Sequence, residues 1–291
     1  MSKKSILPYI HYSVNVVDLR EKTEPIQNIY KEVKYKRGIV NELVYESDLP
    51  KCLELCDAHD GNPYHLLFYM LARFYFFDNS KEPIEYYYAK KNSYLVETAL
   101  SLLPTRFQRK YEKDPGVEYL ELPSCRYLYD SLEEPWICMY VKNLYYHIWK
   151  DLSQEKGKRI FISRKRSNTR TLSIDVYLEE GLKKLGFGIY ELETMSLEEQ
   201  IQLFRTAEVV VGPHGAGLAW LIFCEENTIV CEICPDVPGK NHYIDISNKC
   251  NLQYSRFTSC IFQGENEMFL FENDILLSYL SEIVDKSCLD V

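Results

Sequence analysis

Two stretches of the chain hold residue types at spacings that suit chemistry. The first, KGKRIFISRKRSNTR from Lys156 to Arg170, gathers seven cations and no acid in a chain whose formal net charge is −9. The second, VVVGPHGAGL from Val209 to Leu218, puts Gly215 and Gly217 around Ala216, just where an apolar helical pattern (Leu218, Leu221, Ile222) begins. Amides at a helix start have no intrahelical acceptor, and without a Cβ in the way they make a cradle for an anion. A glycine turn joining strand to helix is also common in any α/β protein, so the turn alone leaves both readings open. The basic segment adds to it. Lys156, Lys158 and Arg159 precede a strand and read as a solvated face. Arg164, Arg166 and Arg170 follow the carboxyl end of that strand, with Ser163 at the end itself. Arginine forks match phosphate oxygens, at roughly 1.5–3 kcal/mol per charged hydrogen bond. A glycine turn with two or three such arginines can hold a pyrophosphate without a metal. The alternative, an Asp-x-Asp pair gripping a divalent cation, is absent from the sequence.

The elements that must position these residues alternate. Strands are expected at 159–163, 187–192, 208–211, 228–234 and 252–257. Helices are expected at 173–185, 197–207, around 243–251 and at 274–285. Ser196 and Glu199 form a capping box for the second helix. The run of β-branched residues at Val209–Val211 suits a strand buried on both faces, and Gly212-Pro213 is expected to end it. Upstream, Asn62–Phe77 is apolar almost all round and reads as a buried helix with Pro63 in its first turn. Strands at 84–89 and 117–122 flank a helix over 94–103, and a long helix spans 134–152. Strand-like pieces at 6–17 and 40–45 precede them. The polar stretch Gln154–Lys158 is the expected linker. Strand–helix alternation predicts parallel sheets covered on both faces, with ligands at the carboxyl ends of the strands.

Composition limits the function classes. At 291 residues, with 46% apolar and 14% aromatic content, the chain is globular and long enough for two domains. Its negative balance argues against nucleic acid as a partner. No apolar run is long enough to span a bilayer, and no leader follows MSKKS, so a cytoplasmic protein is expected. Ten cysteines without a glycosylation acceptor point to free thiols in a reducing compartment. Cys231 and Cys234, three apart in a strand, face opposite sides, and Cys52, Cys56 and His59 lack a fourth ligand. No metal site and no cofactor are expected.

FISRKRSNTRTLS, then MSLEEQIQLFRTAEVVVGPHGAGLAWLIF, then IVCEICP, resemble glycosyltransferase family 61 in residue type and order over about 159–257. Asn62-Pro-Tyr-His65 with Arg73 resembles the family's N-x-x-H helix more loosely. The resemblance implies inverting, nucleotide-sugar-dependent transfer on a GT-B architecture of two facing Rossmann-like domains with parallel sheets. The domains implied are 1–154 on the acceptor side, 155–273 for the nucleotide sugar, and a terminal helix, 274–291, packing back toward the first. Carried onto this chain, Arg164 and Arg170 hold the diphosphate, His214, Gly215, Ala216 and Gly217 frame it, and Glu232 reaches the ribose. The donor implied is a UDP-sugar, UDP-xylose first and UDP-N-acetylglucosamine second, with a glycan hydroxyl as acceptor. The sequence departs from the family at Tyr69, where an acid is usual, at Trp220 in place of asparagine, and at Glu225-Glu226 in place of Pro-Gly. The departure at Tyr69 leaves the base to be sought elsewhere: His65 first, Asp60 second, Asp78 third. Two other readings stay open: a relative that binds nucleotide sugar but lacks the base, and an epimerase or hydrolase on the same fold.

Overall fold

The computed structural model describes residues 15–18, 30–35, 38–43, 50–55, 61–79, 84–121, 136–150, 157–238 and 240–287. Asp60, Cys56, His59 and residues 154–156 of the expected linker lie outside the described residues. Contacts divide the chain into two compact units, one of Met1–Asp57, Phe68–Lys90 and Arg106–Glu134, the other of Ala58–Leu67, Lys91–Thr105 and Pro135–Val291. This differs from a single boundary at 154/155, because two short segments and residues 135–154 join the C-terminal part.

The first unit holds an antiparallel meander of β1 (Asn15–Asp18), β2 (Tyr30–Tyr35) and β3 (Gly38–Leu43). It also holds a parallel sheet of β4 (Lys51–Glu54), β5 (Ile84–Tyr88), β6 (Gln108–Lys110) and β7 (Glu118–Glu121), in the order β6-β5-β4-β7. Buried Cys52, Tyr88 and Val117 pack together in it. The buried run expected at 62–77 forms, but it changes winding. Asn62 caps it by accepting from Tyr64 N at 2.9 Å and His65 N at 3.4 Å. An α-helical turn α1 (Pro63–His65) passes into a π-helical segment at Leu66–Met70, a 3-10 turn at Leu71–Arg73 and α2 (Phe74–Asn79). The division between the two units falls inside the π segment, after Leu67. Such wider turns are uncommon and often accompany functional sites.

In the second unit, α3 (Tyr94–Ser101) is capped by Ser93. The long helix expected over 134–152 appears as α4 (Trp136–Leu144) and α5 (Tyr146–Trp149), broken at Tyr145, a fully buried residue whose hydroxyl donates to Ala99 O at 3.1 Å. A parallel sheet follows, with β8 (Lys158–Ile162), β9 (Phe187–Tyr190), β10 (Ala207–Pro213), β11 (Ile229–Ile233) and β12 (Gln253–Phe257) in the order β9-β8-β10-β11-β12. The helices between them are α6 (Val176–Lys184), α7 (Leu197–Arg205), a 3-10 helix at Ala216–Phe223, and α8 (His242–Lys249). The capping box of Ser196 and Glu199 opens α7 as expected. A hairpin of β13 (Ile261–Gln263) and β14 (Met268–Leu270) precedes α9 (Asn273–Ser287). The chain leaves β8 toward β9 on one side and returns to β10 on the other, so the topological switch point lies between β8 and β10.

Two expectations are corrected here. Gly212-Pro213 does not end the strand: Gly212 pairs with Glu232 and Pro213 with Ile233, and His214 N donates to Ile233 O at 2.9 Å. Successive amides point to opposite neighbours, so the N–H that Pro213 lacks would face β8. The ladder with β8 has already stopped at Val211–Phe161, and the proline costs the sheet nothing. The terminal helix does not leave the second unit. Leu276, Leu280, Ile283 and Val284 of α9 join Phe161, Val209, Val211 and Leu182 in one core. Gly181 lets α6 and α9 close up, since a Cβ there would lie 2.4 Å from Leu277 Cδ1.

Candidate functional site

A cavity of about 530 Å³ opens at the switch point, within the second unit. Its walls come from the carboxyl end of β8 (Ile162, Ser163), the segment after it (Arg164, Ser167, Thr169, Arg170), and Ala216 and Gly217 of the glycine turn. Gly61, Asn62 and Pro63, at the start of the helical run that carries His65, also belong to the wall. Of the expected donor residues, Ser163, Arg164, Arg170, Ala216 and Gly217 therefore meet in one place. The first hydrogen bond of the 3-10 helix runs from Leu218 N to Gly215 O at 2.9 Å, so the Ala216 and Gly217 amides precede it.

The arginine segment is folded around its own first arginine. Arg164 donates from Nε to Arg170 O at 2.9 Å and from Nη2 to Thr169 O at 2.9 Å and Ser167 Oγ at 2.6 Å. Arg170 takes a left-handed backbone (φ 54) and is pinned by its N–H to Asn266 O at 2.7 Å, beside the β13–β14 hairpin. Burial, with Arg170 close by, pushes the Arg164 guanidinium below its ordinary pKa. Arg170 Nε is buried without a hydrogen-bond partner among the described residues, and Glu267 Oε2 stands 3.7 Å from it. Two cations held together at the cost of solvation gain most from an arriving anion. Arg166 stands apart from them, paired with Glu191 at 2.5 Å and not on the cavity wall.

Gly215 is glycine for a steric reason. A Cβ there would stand 2.0 Å from Arg164 Nη1 and 2.6 Å from its Cζ, so the guanidinium lies directly against the turn. Gly215→Ala should displace Arg164 and weaken phosphate binding while the sheet survives. Isothermal titration with UDP, alongside circular dichroism, checks this; wild-type affinity in a folded Gly215→Ala protein would contradict the close approach.

His214 and Glu232 do not line the cavity. Glu232 is fully buried, with Oε1 on His214 Nδ1 and Oε2 taking the Tyr254 hydroxyl and Arg256 Nη2, the last at 3.4 Å. The expected ribose contact is thus corrected: both oxygens are engaged inside the fold, where the carboxylate anchors His214 beneath the glycine turn. Cys234 joins this group, and the ligand atoms of His214, Glu232 and Cys234 lie within 4.8 Å of one another. A metal there would compete with Tyr254 and with the Arg256 cation for Glu232, so the trio fits an ion poorly.

Burial lowers the His214 pKa against the opposing pull of Glu232, and burial together with His214 lowers that of His242, whose ring centroid lies 6.3 Å from His214's. Both rings favour the neutral form in the fold, whereas unfolded imidazoles titrate near ~6.5. As pH falls below that value the unfolded chain binds protons first, so stability should be full above about pH 6.5 and decline below it. Melting temperatures from about pH 5 to 7.5 should show this slope, and it should be shallower in His242→Gln; an equal slope in that variant would remove the assignment.

Of the proposed bases, His65 is half-buried with its ring edge-on to Tyr64, centroids 6.1 Å apart. Asp60 lies outside the described residues. Asp78, the third candidate, lies in the first unit with both oxygens on Arg106, from Nε at 3.1 Å and Nη2 at 2.8 Å. Sequence reasoning gave no site role to other wall residues, among them Glu193, exposed just after β9, and the buried Gln200, while Trp220 stood out only as a departure from the family. Gln200 carried a signal, as a polar residue on the apolar face of α7.

This is an α/β protein whose parallel sheet carries, at its switch point, a cavity lined by two arginines and a glycine turn. The sequence profile for Glycosyltransferase 61 matches residues 55–231, more than half of the chain, and the protein belongs to glycosyltransferase family 61. Over 60 residues it is 37% identical to beta-1,2-xylosyltransferase RCN11 of Oryza sativa subsp. japonica, a match spanning 21% of this chain and 11% of that protein. Among solved structures it is similar to the dodecameric iron-containing heptosyltransferase TibC in complex with ADP-D-beta-D-heptose, at 12% identity and a TM-score of 0.42, covering 90% of this chain and 83% of that one. TibC from enterotoxigenic E. coli H10407 gives 14% identity and a TM-score of 0.38, over 71% and 64% of the two chains. No helix among the described residues is long and apolar enough to cross a membrane.

Proposed function

We propose that the protein is an inverting glycosyltransferase that moves a sugar from a UDP-sugar to a glycan hydroxyl, by single displacement and without a metal. The observation that carries this reading is the pair Arg164 and Arg170, which line one cavity together with Ala216 and Gly217 of the glycine turn, Glu267 standing 3.7 Å from Arg170 Nε. A diphosphate satisfies both guanidiniums and the amides of that turn, and its departure as a leaving group is stabilised by the same donors. With Glu232 engaged elsewhere, Glu193 takes over the ribose: it stands just past the strand next to β8, where an acid meets the ribose diol in doubly wound sheets. Within this reading the fold is of the GT-B type. Xylose is the first choice of sugar, supported by the local match to the rice enzyme, and N-acetylglucosamine the second.

The test is UDP binding with and without EDTA, followed by product analysis with UDP-xylose and UDP-N-acetylglucosamine. UDP should bind equally with EDTA, and a new glycosidic bond should form. Binding that depends wholly on manganese would remove the metal-free diphosphate site. Tyr69 and the engaged Asp78 favour one second reading, a relative that binds the donor without turning it over. UDP binding without any UDP release in the presence of acceptors would support that reading.

A further inference from the structure

We propose that Gln200 and Trp220 are a reading pair for the imide edge of the nucleotide base, an inference that rests on the donor site above. Gln200 is 6% exposed, lies on the cavity wall, and spends both amide hydrogens on backbone carbonyls, Leu192 O at 2.9 Å and Met195 O at 3.2 Å. Those two bonds fix the orientation of the amide, and they leave Oε1 as an acceptor that no described group uses. Trp220, 1% exposed, lines the same cavity, and its indole N–H is buried with no acceptor among the described residues. A buried indole N–H ordinarily finds a partner, so this vacancy asks for one. The two residues sit on neighbouring packed elements, α7 and the 3-10 helix.

Gln200 contributes an acceptor and Trp220 a donor to the lining of one cavity, whose apolar wall includes buried Leu192 and Leu197. A flat ring with an N–H next to a carbonyl is complementary: its N–H donates to Gln200 Oε1 and its carbonyl accepts from Trp220 Nε1. The imide edge of uracil has that pattern. The acetamido group of a 2-acetamido sugar carries the same two functions but turns them in opposite directions, so it fits the pair less well.

The experiment compares ligands on the unaltered full chain. UDP and UDP methylated on the ring imide nitrogen are titrated calorimetrically, with UDP-xylose and UDP-N-acetylglucosamine as further arms. Methylation removes the N–H and should weaken binding at least about tenfold, while the two UDP-sugars should bind within a few-fold of each other. Trp220→Phe and Gln200→Leu, where they fold, should bind UDP more weakly and shrink the penalty for methylation. Equal binding of UDP and its methylated form overturns the proposal and leaves the diphosphate site standing. Discrimination between the two sugars, with none against methylation, overturns it in favour of the sugar acetamido group. Failure of the wild-type protein to bind any of the four ligands overturns the donor-site reading as well.

Discussion

Arg164→Ala is expected to weaken UDP binding by about 1.5–3 kcal/mol, roughly 10- to 150-fold, as the loss of one charged hydrogen bond to phosphate. The effect should sit at the upper end of that range because Arg164 has two tasks. Its Nη1 edge lies against the Gly215 turn, and its Nε and Nη2 hold Arg170 O, Thr169 O and Ser167 Oγ. Removing it deletes one cation and also releases the loop that presents the other. Arg164→Lys should therefore not restore binding, since an ammonium cannot span three acceptors in a plane. Arg170→Ala should lose a similar amount. The double variant should lose less than the sum, because the two residues share one loop. Titration calorimetry at fixed ionic strength measures all four, with melting curves to show that the fold is kept. Unaltered UDP affinity in both single variants would end the diphosphate reading.

The residues that carry this prediction were legible in the sequence for plain reasons. Val209–Val211 and Ile160–Ile162 are short apolar runs bounded by polar or glycine residues, as strands buried on both faces are. Ser196 and Glu199 mark a helix start three residues apart. These are local signals, and the elements they announce lie within a few residues of where they were expected. Parallel α/β order then puts Ser163, Arg164 and the glycine turn at one edge, because carboxyl ends of neighbouring parallel strands share an edge.

What the sequence hid depends on contacts between distant residues. Pro213 ends a strand in isolation and does not here, because the neighbour its amide would serve has already stopped. Glu232 is a lone acid in an apolar strand, and only the distant Tyr254 and Arg256, on β12, make it an internal anchor. The strands β6, β13 and β14 span three residues each, too short for a period to show. The break between α4 and α5 comes from a bond reaching back from Tyr145 to Ala99, which no helical pattern records. Asp78 is an ordinary acid until Arg106, 28 positions on, takes both its oxygens.

His65→Ala is expected to lower kcat on the order of 10²- to 10⁴-fold with UDP affinity unchanged, the loss of a general base acting only in the transition state. An inverting displacement needs a proton acceptor within hydrogen-bond reach of the attacking hydroxyl, and an imidazole titrates near the working pH. The cavity wall includes Asn62 and Pro63, and Asn62 caps the turn that carries His65 by accepting from the His65 amide. His65 thus sits on a fixed turn that begins at the cavity wall, immediately before the helix widens into its π segment. Tyr69, later in that segment, is a poor replacement, since a phenol with a pKa of about 10 is almost wholly protonated at neutral pH. Asp78→Asn should leave kcat as it is, because that carboxylate serves Arg106, and Asp60→Asn completes the set. Turnover is measured at saturating donor, with UDP binding followed separately. Wild-type turnover in His65→Ala together with its loss in Asp60→Asn would transfer the role to Asp60. Loss in Asp78→Asn would mean that the Arg106 pair opens during the reaction, and indifference of all three would place the base elsewhere in the protein.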